Sequence, residues 1–220
     1  MGGVAAVVLG IAYLATMPLF ASVGVPPRGG EAWLAYSAGK TGAWWGILAL
    51  SVLTDLLFVP VAFALYFALR RVTRGLALLG SAYVGLFAVL DLAVTWSNYA
   101  ALITLSESYV GATSDAQRLV YVAAAEYAST GVTFSQSVYS ILVPALGVLL
   151  VGLAMVRSPF GRGIAYLGVV TGVLGIVSLV GPLVVSALSA TMIVTSLLTT
   201  VWVVLVGYRL FRLGAAASPR

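Results

Sequence analysis

The chain has 220 residues, of which 62% are hydrophobic and only 8% are charged, and its formal net charge is +5. A soluble domain carries about 25% charged residues, so this composition excludes an ordinary soluble globular protein. Cysteine and histidine are both absent, which excludes thiolate and imidazole chemistry, and we expect no metal site and no cofactor.

Continuous apolar runs predict six membrane-spanning helices, because about 20 apolar residues are needed to cross ~30 Å of hydrocarbon. A β-barrel would show alternating segments of about ten residues instead. The predicted fold is therefore an all-α, polytopic transmembrane bundle forming a single integral-membrane domain, with the lipid bilayer as its partner. In chain order the spans are about 4–24, 43–69, 76–99, 136–156, 164–186 and 188–208.

The first span resembles a signal peptide in position, but no basic residue precedes it and no convincing cleavage site follows, so we keep it as a span. Between the third and fourth spans, Ser114 is followed three residues later by Gln117, which is a capping-box pattern. This pattern predicts a helix over about 114–130. We expect it to lie at the outer interface, or to be an early extension of the fourth span broken near Gly131.

The basic residues divide unequally between the two sides of the predicted membrane. Three of them fall on one side, namely Arg28, Lys40 and Arg118. The positive-inside rule places the larger group and both termini in the cytoplasm, and explains the net charge without a nucleic-acid partner. The aromatic residues expected near the outer interface are Trp33, Trp44, Trp45, Trp96 and Tyr99. The larger group consists of Arg70, Arg71, Arg74, Arg157, Arg162, Arg209, Arg212 and Arg220.

Two aspartates interrupt the second and third spans. Asp55 lies about 15 Å from Trp45 and about 22 Å from Arg70 along a helix, and Asp91 lies about 24 Å from Gly75. Both are therefore near the bilayer centre, where an ionised acid costs at least ~2.5–3.5 kcal/mol. No arginine or lysine lies within these spans, so we expect the acids to be protonated, to share a proton, or to hold a cation in a wet cavity.

Helical spacing places other polar side chains near the two acids. The candidate ion- or solute-binding residues are Asp55, Asp91, Thr54, Thr95, Asn98, Glu126 and Gln136. Hydroxyl stripes continue onto the later spans, at Ser129, Thr133, Ser137, Ser140, Thr171, Ser178, Thr191, Thr195 and Thr199. Small hydroxyl residues also serve simple helix packing, and so does the pair Gly168 and Gly172. We expect that pair to pack within the chain.

Two stretches resemble a known family. They are "DLLFVPVAFALYFALRRVTRGLALLGSAYVGLFAVL" at 55–90 and "MVRSPFGRGIAYLGVVTGVLG" at 155–175. Both are similar to landmarks of the multi-pass membrane family catalogued as domain of unknown function 4386. The resemblance implies a bacterial inner-membrane protein without an established activity, and it transfers no catalytic residue.

Three functions are compatible with these patterns. The first is binding or transport of a small polar or cationic solute, or of protons, at Asp55 and Asp91. The second is a non-catalytic scaffold or accessory subunit whose polar residues only pack helices, either alone or as a homo-oligomer. The third is an intramembrane aspartyl protease, but its Gly-x-Gly-Asp element is missing before both acids. We therefore assign no catalytic residue.

Overall fold

A computed structural model describes residues 2–185, 188 and 191–217. Arg220 and positions 186, 189 and 190, at the ends of predicted spans, lie outside the described residues. Long apolar runs with few charged residues produce six helices long and apolar enough to cross a membrane, as predicted. The helices are α1 (Gly2–Val23), α2 (Gly30–Ser37), α3 (Thr41–Leu69), α4 (Arg74–Val110), α5 (Asp115–Met155), α6 (Arg162–Leu183) and α7 (Thr191–Ala217).

The six long helices form a closed ring. Each packs against two neighbours, in the order α1, α3, α4, α5, α6, α7 and back to α1. Large apolar side chains cover the outside of the ring, for example Ile11, Phe63, Val89 and Ile193, each at least 60% exposed. Such a continuous apolar surface is suited to contact with lipid, because its exposure to water is unfavourable.

The two ends of the ring differ in charge. The amino-terminal Gly3 packs against Phe211, and Arg209 donates two hydrogen bonds to the carbonyl of Pro159, at 2.7 and 3.0 Å. We call this the basic end, because seven arginines lie there: Arg70, Arg71, Arg74, Arg157, Arg162, Arg209 and Arg212. The short helix α2 packs against α4 and α5 at the opposite end, which we call the α2 end.

Of the two alternatives for residues 114–130, the structure has the extension of the fourth span and not a separate helix. Helix α5 runs from Asp115 to Met155 without the break expected near Gly131. The cap at Ser114 is present, since its Oγ accepts a hydrogen bond from the amide of Gln117 at 3.3 Å. Gly131 serves packing, because a Cβ there would come within 3.0 Å of the Asn98 side chain.

The third span is also longer than predicted. Helix α4 continues past 99 to Val110, and its last turns support α2. There, the hydroxyls of Ser37 and Ser106 lie 2.6 Å apart and are hydrogen-bonded to each other. Both side chains are fully buried, so neither contacts lipid. The span was predicted to end early because the polar residues that follow it resemble a loop in sequence. In the structure these residues pack under α2.

The aromatic residues expected at the outer interface are mostly inside the protein. Trp33, Trp44 and Tyr99 are 2%, 1% and 4% exposed, whereas Trp45 is 40% exposed. The ring of Trp44 stacks on Tyr99 with centroids 5.5 Å apart, and Tyr99 stacks on Trp96 at 5.3 Å. This aromatic cluster, formed by Trp33, Trp44, Trp96 and Tyr99, fills the ring beneath α2.

Candidate functional site

The two predicted acids come together inside the ring. Asp55 on α3 and Asp91 on α4 are 2% and 3% exposed, and both line the same cavity. Neighbouring antiparallel helices bring them to the same depth. We call these two residues the acid pair.

Each carboxyl group of the acid pair also accepts a hydrogen bond from a neutral donor. The indole Nε1 of Trp96 donates to Oδ2 of Asp55 at 2.8 Å. The hydroxyl of Ser140, on α5, donates to Oδ1 of Asp91 at 2.5 Å. These donors hold the carboxyl groups in place but carry no positive charge, so they do not neutralise an ionised acid.

Two wide helical turns position these side chains. The π-helical segment Asp91–Thr95 lies within α4, and a second, Gln136–Leu142, lies within α5. Pro144 follows the second segment and has no N–H to donate to the carbonyl of Ser140, which favours a wider turn there. Such turns are frequent at functional sites, because they redirect side chains from the regular helical positions.

A cavity of about 350 Å³ occupies the centre of the ring beside the acid pair. A volume of this size is within the range of small-molecule sites, about 300–1,000 Å³. No arginine or lysine is among the described residues that line it. Aromatic rings form much of its wall, namely Tyr13, Phe20, Phe58, Phe87, Trp96 and Tyr99.

A buried hydroxyl without a partner faces this cavity. Thr171 on α6 is 2% exposed, and within the described part of the chain its Oγ1 makes no hydrogen bond. Thr95 lies near the Asp91 carboxyl, but its Oγ1 makes no bond of ordinary geometry to any described residue. An unpaired buried hydroxyl costs about 1–3 kcal/mol of stability.

Thr54 and Gln136 line the same cavity, with their polar groups already engaged. Thr54 donates its hydroxyl to the carbonyl of Ser51 at 2.7 Å. The side-chain oxygen of Gln136 lies 3.5 Å from the hydroxyl of Tyr99, which is the donor. Five of the seven predicted site residues therefore meet in one place, namely Asp55, Asp91, Thr54, Thr95 and Gln136.

Comparison with known families agrees with the sequence landmarks. A model of the family described as "Domain of unknown function (DUF4386)" matches residues 1–214. The chain belongs to the DUF4386 family. No curated protein and no solved structure matches it.

Two predicted site residues of this DUF4386 protein point elsewhere. Asn98 donates its side-chain amide to the carbonyl of Val94 at 2.8 Å and packs against Gly131, outside the cavity lining. Glu126 accepts a hydrogen bond from the amide of Gly30 at 2.6 Å, so it caps α2. A carboxylate there is favoured by the free N–H groups at the helix start.

The hydroxyl stripes of the DUF4386 chain also divide. Ser140, Thr171, Ser178, Thr195 and Thr199 reach the cavity, whereas Ser129, Thr133, Ser137 and Thr191 are not part of its lining. Two of the latter donate to a carbonyl of their own helix, Thr133 to Ser129 and Ser137 to Thr133, both at 3.0 Å. For these residues, packing is the role that the structure shows.

Sequence reasoning missed several residues that line the cavity. Tyr13 and Thr16 on α1, Trp96 on α4 and Thr200 on α7 were not named as site residues. Trp96 is the most informative omission, because it bonds to Asp55 directly. Its spacing from Asp91, five residues along the same helix, was the available signal. A tryptophan near a span end is otherwise read as an interface anchor.

Proposed function

We propose that the protein binds a proton or a small cationic solute between Asp55 and Asp91, as the binding step of a membrane transport or sensing function. The observation that carries this proposal is the meeting of two carboxyl groups on the wall of one cavity, with no arginine or lysine among its described lining residues. Thr95 and Thr171, whose buried hydroxyls have no partner among the described residues, line the same cavity.

The physical reason is the poor solvation of the acid pair. Two neighbouring negative charges repel each other strongly in a low-dielectric interior, so the two acids are not both ionised without a positive charge nearby. Trp96 and Ser140 provide hydrogen bonds but no charge. A proton shared by the pair or a cation between the two carboxylates satisfies this requirement, and the two occupants compete for the same oxygens.

The test uses two substitutions and a matched control in purified protein. Asp55→Asn and Asp91→Asn keep side-chain size and hydrogen bonding but remove ionisation. Asp115→Asn removes a carboxylate that is 98% exposed at the start of α5. Proton uptake between pH 9 and 5, and the rise in thermal unfolding midpoint with methylammonium chloride, are measured for each in detergent.

We expect wild type and Asp115→Asn to show the same rise in unfolding midpoint with methylammonium. Their proton uptake should differ only by the contribution of the exposed Asp115 carboxylate. Asp55→Asn and Asp91→Asn should each lose about tenfold or more in methylammonium affinity, or about 1.4 kcal/mol, because one carboxylate of the pair is gone. Proton titration and methylammonium response that are unchanged in both acid-pair variants would overturn the proposal and favour the scaffold function.

The location we propose is the inner membrane of a bacterium, with both termini in the cytoplasm. Seven arginines of the described residues lie at the basic end, which supports a cytoplasmic basic end under the positive-inside rule. Reporter fusions after Arg74, Arg162 and Arg212 should read cytoplasmic, and a fusion near Asp115 should read external. An external signal from the fusion after Arg212 would contradict this orientation.

A further inference from the structure

The seam between α1 and α7 is tightly closed at the basic end. A Cβ on Gly3 would meet the backbone N of Phe211 at 2.6 Å, and one on Gly207 would meet the backbone N of Val7 at 3.0 Å. Gly10 lies against the side chain of Val204 on the same seam. Glycines therefore bring the two backbones into contact over this half of the seam.

Toward the α2 end the same seam opens into the cavity. Met17 and Phe20 on α1 line the cavity and are 37% and 42% exposed, and Met192 on α7 lines it and is 41% exposed. Ser196 on α7 is also both exposed and part of the lining. All the other residues that line the cavity are buried or half-buried. The cavity thus reaches the surface of the ring between α1 and α7.

This opening faces the hydrocarbon part of the membrane. Met17 lies six residues before the end of α1, about 9 Å along the helix, and Ser196 lies about 8 Å into α7. Neighbouring outward residues on both helices are apolar, for example Leu14 at 55% and Ile193 at 69% exposed. A small ion gains nothing by approaching through lipid, whereas a molecule with an apolar chain is already concentrated there.

We infer that the occupant is a membrane-dissolved amine, with its ammonium group at the acid pair and its apolar chain in the opening between α1 and α7. This inference rests on the proposed function of Asp55 and Asp91. The interior end of the site matches an ammonium group, because two carboxyl groups and the aromatic residues Tyr13 and Trp96 line the same volume. The outer end is bordered by Met17, Phe20 and Met192, which pack against an alkyl chain.

Three probes separate the contributions of charge and chain. Dodecylamine carries both, methylamine carries only the ammonium group, and dodecanol carries only the chain. Binding is measured with radiolabelled compounds on protein in lipid nanodiscs, as the excess over empty nanodiscs at equal lipid. We expect excess binding of dodecylamine and methylamine, lost in Asp55→Asn and Asp91→Asn, and no excess of dodecanol, because burial in protein offers a chain little over lipid.

Substitutions at the opening test where the chain lies. Met17→Trp should lower dodecylamine affinity about tenfold, equivalent to about 1.4 kcal/mol, because the indole occupies the volume of the chain. Methylamine affinity should stay within about twofold on the same scale. Leu14→Trp is the matched control, since Leu14 is exposed on the same helix but does not line the cavity. Ser196→Trp and Ile193→Trp repeat the comparison on α7.

The outcomes distinguish this inference from the proposed function. Carboxylate-dependent binding of methylamine with no effect of Met17→Trp and Ser196→Trp on dodecylamine would overturn the lateral site and leave the acid-pair function intact. Excess dodecanol binding equal to that of dodecylamine would also overturn it, because the acids would then play no part. Binding of dodecylamine and methylamine that is unchanged in both Asp55→Asn and Asp91→Asn would overturn both proposals.

Discussion

Replacing Trp44 by alanine is expected to lower the free energy of unfolding by about 3–5 kcal/mol, the range for truncating a large buried aromatic side chain. Trp44 is 1% exposed, stacks on Tyr99 and lies 4.9 Å from Trp33 between ring centroids. Its removal leaves a cavity in the middle of the aromatic cluster. The effect is measured as the thermal unfolding midpoint in detergent, followed by circular dichroism.

The neighbouring Trp45 provides a matched control. Trp45 is 40% exposed, and its indole donates only a long, exposed hydrogen bond to Glu107 at 3.3 Å. Trp45→Ala should therefore change the free energy of unfolding by about 0.5 kcal/mol or less, as surface substitutions do. Equal midpoints for Trp44→Ala and Trp45→Ala would contradict the buried position of Trp44 beneath α2.

Gly172→Ala is expected to destabilise the ring by about 1–3 kcal/mol, the cost of forcing an additional carbon into a packed interior. A Cβ on Gly172 would lie 2.6 Å from the backbone N and 2.7 Å from the Cα of Leu149 on α5. Backbone atoms cannot turn away as the end of a side chain can, so α5 and α6 must separate. The midpoint of thermal unfolding in detergent should fall. The yield of crosslinks introduced between the two helices should also fall.

Gly85→Ala is the control for helix propensity. Gly85 lies within α4, and a Cβ there would meet nothing within 4 Å. Alanine at such a position removes backbone freedom from the unfolded chain and should stabilise by about 0.4–1 kcal/mol. The two substitutions are therefore expected to have opposite signs. A loss of stability of similar size in both variants would show that the close contact at Gly172 is not what matters.

The family landmarks and the six long apolar helices could be read from the sequence. Both depend on properties that lie along the chain: the length of each apolar run and the order of short basic turns. The prediction that Gly168 and Gly172 pack within the chain is confirmed, because a Cβ on either would meet Trp202 or Leu149 of neighbouring helices. Small residues spaced four apart lie on one helix face whatever surrounds them.

The rotation of each helix about its axis could not be read in the same way. Asp91 and Asn98 share one face of a regular helix by spacing, yet the structure turns Asp91 into the cavity and leaves Asn98 bonded to Val94. The π-helical segment Asp91–Thr95 lies between them and changes the angular relation of the residues on either side. Regular spacing does not predict such a segment.

The sequence by itself determined that six helices are long and apolar enough to cross a membrane and that two acids lie at similar depth along them, since hydropathy and helix rise are local quantities. Only the tertiary structure decided which side chains meet those acids. Trp96 and Ser140 became their partners, and Glu126 became the cap of α2, through packing between helices distant in sequence. The opening between α1 and α7 likewise depends on how the first and last helices close the ring, which no single span encodes.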